Sequence, residues 1–164
     1  MAVSTSYREL LLANVLIDLK TITTANSFRT NMASDNISRM LKSPDEMKND
    51  DFPALFVSDG VENIEYGTNK ELKSLFNIII YGYVRFNTKA SVSEIASTQL
   101  NKLISDVKEV LMDTDKTLWG TAGVVFVRLV QVETDEGVME PEAVFRLQTE
   151  IEYYTVSSDM GASV

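Results

Sequence analysis

Over its last quarter the chain alternates oily and polar residues with a period of two. Ala143, Phe145, Leu147, Ile151 and Tyr153 point one way, and Arg146, Gln148, Glu150 and Glu152 point the other. That is the signature of an antiparallel strand with one buried and one wet face. With the apolar run 124–133 before it and an acidic turn between, it predicts a hairpin over 123–154. The stretch 72–86 reads differently. Phe76, Ile78, Ile80 and Val84 share one face, and Ile79, Tyr81 and Tyr83 share the other. Two oily faces predict a central strand covered on both sides. Gly82 within it predicts a bulge or the close approach of another backbone. Phe52 to Val57 reads as a compact strand closed by a turn at Ser58-Asp59-Gly60, followed by a short polar arm over 61–67.

Two helical patterns complete the layout. Ser6 and Glu9 have capping-box spacing, and Leu12, Val15, Leu16, Leu19 and Ile22 follow at helical intervals, predicting a helix over 7–23. Ser91 and Glu94 repeat the spacing before Ala96, Leu100, Leu103, Val107, Val110 and Leu111, with Lys102, Asp106 and Lys108 off the apolar stripe. Residues 24–50 carry weaker signals. Short strands fit at 28–32 and 37–41, and Ser43-Pro44-Asp45-Glu46 reads as a cap with proline at the first helical position. The order is helix, strands, helix, two strands, with no βαβ alternation. This predicts an α+β fold: a mainly antiparallel sheet with two amphipathic helices packed on one face. Residues 1–156 are expected to form one domain and 157–164 a flexible tail.

Charge changes the picture in one place. The net charge is −9, and residues 113–164 hold −7 of it. With no basic cluster, direct nucleic-acid binding is disfavoured, and solubility is the plain account of the excess. The chain contains no cysteine and no histidine. Disulfides, thiolate chemistry, ordinary zinc sites and the usual neutral-pH base are therefore excluded, and no cofactor is expected. The first 20 residues do not form a convincing signal peptide, because Asn14 and Asp18 interrupt the apolar run. Nothing approaches the length of a membrane span.

Candidate chemistry is thin. Asp113-Thr114-Asp115-Lys116-Thr117 starts like a calcium loop, but Leu118 and Val124 stand where glycine and glutamate are needed. Gly120-Thr121-Ala122-Gly123 lacks the residues of a phosphate loop. Glu133, Asp135, Glu136, Glu140 and Glu142 crowd one turn, which reads as solvated or as a recognition surface rather than as catalysis. Two helices cover only one face of the sheet, so Ile79, Tyr81 and Tyr83 are expected to leave an exposed patch, and such patches mark interfaces. Trp119 and Tyr154 are further interface candidates.

The layout resembles the tail terminator, or tail-completion, proteins of long-tailed bacteriophages, a family of neck and minor tail proteins. The resemblance lies in an N-terminal amphipathic helix, Phe52-Pro53-Ala54-Leu55-Phe56-Val57, the oily strand ending Ile80-Tyr81-Gly82-Tyr83-Val84, and a helix with Gln99-Leu100-Asn101-Lys102-Leu103. It closes with Glu133-Thr134-Asp135-Glu136-Gly137, Pro141 and the run from Phe145 to Tyr153. The match spans most of the chain without one diagnostic motif. It implies a virion protein with no catalytic residues: a homo-oligomeric ring, commonly a hexamer, that caps the tail tube, stops its polymerisation and meets the head connector. DNA would pass through without specific binding, past an acidic lumen formed by Glu133, Asp135, Glu136, Glu140 and Glu142. Rival readings are another head-tail connector (a stopper or head-completion protein), an acidic inhibitor that fills a basic groove, and a carboxylate-only metal enzyme.

Overall fold

The computed structural model describes residues 6–67, 71–85, 96–135 and 142–156. The Ser91/Glu94 cap, Glu136, Glu140 and the segment 157–164 lie outside them. Helix α1 (Tyr7–Leu19) starts where the Ser6 hydroxyl accepts the Glu9 N–H at 3.3 Å, and it ends a turn earlier than its apolar spacing predicts. Ile22 is nevertheless fully buried beyond the helix end. Helix α2 spans Ala96–Met112. Five strands, β1 (Ile37–Ser38), β2 (Ala54–Tyr66), β3 (Glu71–Arg85), β4 (Val124–Asp135) and β5 (Glu142–Val156), form one sheet in the order β1-β2-β3-β5-β4. Every pairing is antiparallel except β1 with β2. The α+β architecture is as the sequence predicts.

Both helices lie on one face of this sheet, which we call the helix face. There Phe76, Ile78 and Ile80 of β3 and Phe145, Leu147 and Ile151 of β5 meet Leu11, Leu12 and Val15 of α1 and Leu103, Val107 and Leu111 of α2. Each of these large side chains, fully withdrawn from water, contributes roughly 1.5–3 kcal/mol. The period of two in β5 and the period near 3.6 in α2 thus locate the main core directly.

Three local expectations are corrected. Ser58-Asp59-Gly60 is not a turn. β2 runs straight through it, with one extra residue accommodated between Asp59 and Glu62 opposite Ile78 and Phe76, and the expected polar arm is the distal half of the same strand. β3 pairs with Ser58 and Asp59 on one side and Glu62 on the other, so the bulge at Gly60-Val61 absorbs the turn-forming tendency. At Gly82 the register is continuous, and the close neighbour is the Phe145 ring rather than a backbone. Asp106, placed off the apolar stripe, is fully buried. Its carboxylate accepts the backbone N–H groups of Arg29 (3.2 Å) and Thr30 (2.7 Å) and a 2.9 Å bond from the Arg29 guanidinium. Hydrogen-bonding of this kind lets a carboxylate sit in a core.

Asp18 does the same in α1, taking the N–H groups of Thr117 (2.9 Å) and Leu118 (2.7 Å). Between residues 24 and 52 there is only the two-residue strand β1 together with short 3-10 turns, so neither 28–32 nor the full 37–41 run is extended in the sheet. The proline cap does form: a turn spans Pro44–Glu46, and the Glu46 carboxylate accepts the Ser43 N–H at 3.2 Å.

Candidate functional site

Opposite the helices lies the sheet's far face, where the exposed apolar patch is expected. Register decides what it contains. Odd residues of β3 stand beside even residues of β5, so Ile79 faces Gln148, Tyr81 faces Arg146 and Tyr83 faces Val144. Polar side chains therefore separate the oily ones. Asn77 accepts from Gln148 at 3.0 Å, Lys73 pairs with Glu152 at 3.4 Å, and Arg146 with Glu133 at 3.5 Å. Arg128 pairs with Glu150. Glu133, Glu150 and Glu152 of the last third are thus each paired with a base on the same face.

One end of the far face is also covered. The segment from β1 to β2 folds over it, so that Met47, Ala54, Phe56 and Tyr83 make a second small core with Phe52, Tyr81 and Val144 at its margin. Tyr83 is only 8% exposed, its ring edge-on to Phe56 at 5.6 Å, and burial pushes its phenol up. Arg85 fastens this cover. Its guanidinium donates to the Pro44 carbonyl (3.0 Å), the Met47 carbonyl (3.2 Å) and Asn49 (3.2 Å), and it pairs with Glu142 at 2.7 Å.

The expected site residues therefore divide. Ile79 and Tyr81 are half-buried on the far face, and Tyr154 is 40% exposed on the same side. Tyr83 is an internal residue, which corrects its place in the patch. Trp119 belongs to the helix layer: it packs on the main core and its indole N–H donates to the Leu111 carbonyl at 2.9 Å, satisfying the end of α2. These five do not form one surface. Among the acids, Glu133 and Asp135 close β4, and Glu142 is tied to Arg85 directly opposite it in register, so it is not a free carboxylate. Glu136 and Glu140 fall outside the described residues.

Sequence reasoning missed the sheet's two edges. On β4, Val125, Phe126 and Val130 are 55%, 49% and 48% exposed. On distal β2, Val61, Ile64 and Tyr66 are 67%, 48% and 88% exposed. Beside β2, β1 pairs only with Leu55 and Phe56, and among the described residues no strand pairs with the rest of that edge or with the outer edge of β4. A signal was present: the run Val124-Val125-Phe126-Val127 and Leu129-Val130 is oily at both parities, which a strand with one wet face is not.

Nothing in this arrangement assembles reactive groups. Among the described residues no three His, Cys, Asp or Glu side chains are placed to hold a metal, and no helix is long and apolar enough to cross a membrane. Asp113, the start of the calcium-like run, instead accepts the Asp115 N–H at 3.0 Å and sits 3.7 Å from Lys116.

The fold is shared with a chain of a solved virion particle. A chain in a structure described as the virion of a native gene transfer agent particle superposes with a TM-score of 0.56 at 12% identity, covering 88% of this chain and 95% of that one. The family described as Bacteriophage Tail Tube Terminator Protein matches residues 1–161, and the chain belongs to that family. It is a structural protein of the phage tail. No curated protein sequence matches it.

Proposed function

We propose that this protein forms a homo-oligomeric ring, six-fold as the family resemblance implies, that seats on the end of the tail tube, stops its polymerisation and offers its other rim to the head connector. The observation that carries the reading is where the uncovered apolar side chains lie. Among the described residues, six of the eleven exposed large apolar side chains sit on two different edges of one sheet, Val125, Phe126 and Val130 on β4 and Val61, Ile64 and Tyr66 on distal β2, while Ile17, Met40, Leu41, Met112 and Tyr154 lie elsewhere. Two unlike surfaces on opposite sides of a subunit favour a head-to-tail contact, which closes into a ring when the rotation between subunits allows it.

Glu133 and Asp135 would line the channel and repel DNA phosphates, so that the genome slides through. Purified tube protein polymerised with and without this chain tests the main reading. With it, tube length becomes fixed and negative-stain images show a ring at one tube end. Tubes that grow without limit and bind no ring would refute it. Reversing the charge of Glu133 and Asp135 checks the channel: DNA passage and infectivity should fall, and unchanged values would remove these acids from the lumen.

A further inference from the structure

The edges specify how two copies meet. β2 runs antiparallel to β3, β3 to β5 and β5 to β4, so β4 runs opposite to β2. A second copy in the same orientation, helices on the same side, therefore presents distal β2 antiparallel to the free edge of β4. The fit is in length as well as direction. Among the described residues, only β1 pairs with the outer edge of β2, at Leu55 and Phe56, and Ser58 to Tyr66 can lie beside the twelve residues of β4.

One register satisfies both faces. We propose that Arg128 of one copy stands opposite Glu65 of the next, with the two sheets joined edge to edge. Arg128 lies on the far face, opposite Glu150, and Glu65 lies on the far face, opposite Lys73. Across the seam the row then reads Glu150, Arg128, Glu65, Lys73, alternating in sign at every step. On the helix face the same register sets the half-exposed Ile64 beside Leu129, and directly opposed residues are the ones that interact most strongly across strands. β4 ends near Ser58 of the neighbour, before β1 begins. Sliding two residues one way puts Leu129 against Glu62 and Arg128 against Asn63. Sliding the other way leaves Arg128 against Gly67. The bulges after Leu129 and before Phe126 blunt the edge against indiscriminate pairing, so that only a partner of this pattern completes it.

This inference rests on the ring reading and specifies its seam. The full chain has no cysteine of its own, so a Glu65→Cys/Arg128→Cys variant can be joined by a short bifunctional thiol reagent without other targets. The control, Glu65→Cys/Glu133→Cys, displaces one thiol by about 17 Å along the strand. On the purified chain and on assembled tails, the first variant should give a ladder of linked subunits ending at the ring number, and the control none. Rings by imaging with no ladder overturn the seam and leave the ring standing. A linked dimer that goes no further overturns the seam in favour of a two-fold contact. Failure to see rings in either setting refutes the ring reading, and the seam with it. Independently, Arg128→Glu should raise the concentration for half-assembly at least about tenfold, and adding Glu65→Arg should restore it. No rescue in the double variant also overturns the pairing.

Discussion

Gly82 and Phe145 stand opposite each other on the helix face of β3 and β5, and the Phe145 ring occupies the space a side chain at 82 would need. A Cβ built on Gly82 would come within 2.0 Å of that ring. Phe145 itself is fully buried. The pair works as one large side chain shared between two strands, and the glycine is required by volume, not by backbone conformation.

Gly82→Ala should therefore destabilise the chain by about 1–3 kcal/mol, the range for overpacking a dense core. Adding Phe145→Leu should recover part of the loss, because the shorter side chain vacates the space. Urea denaturation of the two variants measures both effects, and strictly additive losses would show that the residues do not share that volume.

Asp18 and Asp106 each accept two backbone N–H groups from distant loops. Replacing either with alanine strands those donors, at about 1–3 kcal/mol for each buried group left unpaired. Hydrogen exchange should then quicken at Thr117 and Leu118 in Asp18→Ala, and at Arg29 and Thr30 in Asp106→Ala, before the sheet is affected.

Tyr153 governs behaviour in alkali. Burial, then its hydrogen bond to Glu62, raise its phenol well above the ordinary value near 10, and its ring stacks on Tyr7 at 4.6 Å, whose phenol burial also raises. A group whose folded pKa is raised contributes fully below the unfolded value and loses that contribution as pH climbs from there toward the folded one. Stability should thus be level with respect to these groups below about pH 10 and fall above it. Tyr153→Phe should lower stability at neutral pH by about 1 kcal/mol through the lost hydrogen bond and shallow the alkaline decline. Chemical denaturation at a series of pH values checks the slope.

Arg85 holds the cover over Tyr83. Arg85→Met keeps an aliphatic stem but removes the guanidinium, which lies 4.2 Å over the Phe52 ring and donates to Pro44, Met47 and Asn49. Protection from hydrogen exchange should drop across 43–52 while β3 and β5 hold, and Tyr83 should become accessible to solvent quenchers of fluorescence. Unchanged protection would mean the segment is held by its apolar contacts alone.

The α1, α2 and β5 patterns name their own buried faces, because an element with one repeating period can bury only one stripe. The net acidity was equally plain, but its meaning was not. Glu142, Glu150 and Glu152 read as a run of negative charge along one strand, whereas Arg85, Arg128 and Lys73 stand against them in space from other strands.

By itself the sequence determined the two helices, the hairpin strands and the oily central strand, since periodicity is a property of consecutive residues. Only the tertiary structure decided that Ser58-Asp59-Gly60 is strand, that Tyr83 lies inside, that Asp18 and Asp106 are buried, and that Val61, Ile64, Tyr66, Val125, Phe126 and Val130 lie uncovered along the sheet's edges. Each of these depends on which strand lies beside which and in what register. Such pairing joins residues far apart in the chain, and no local pattern encodes it.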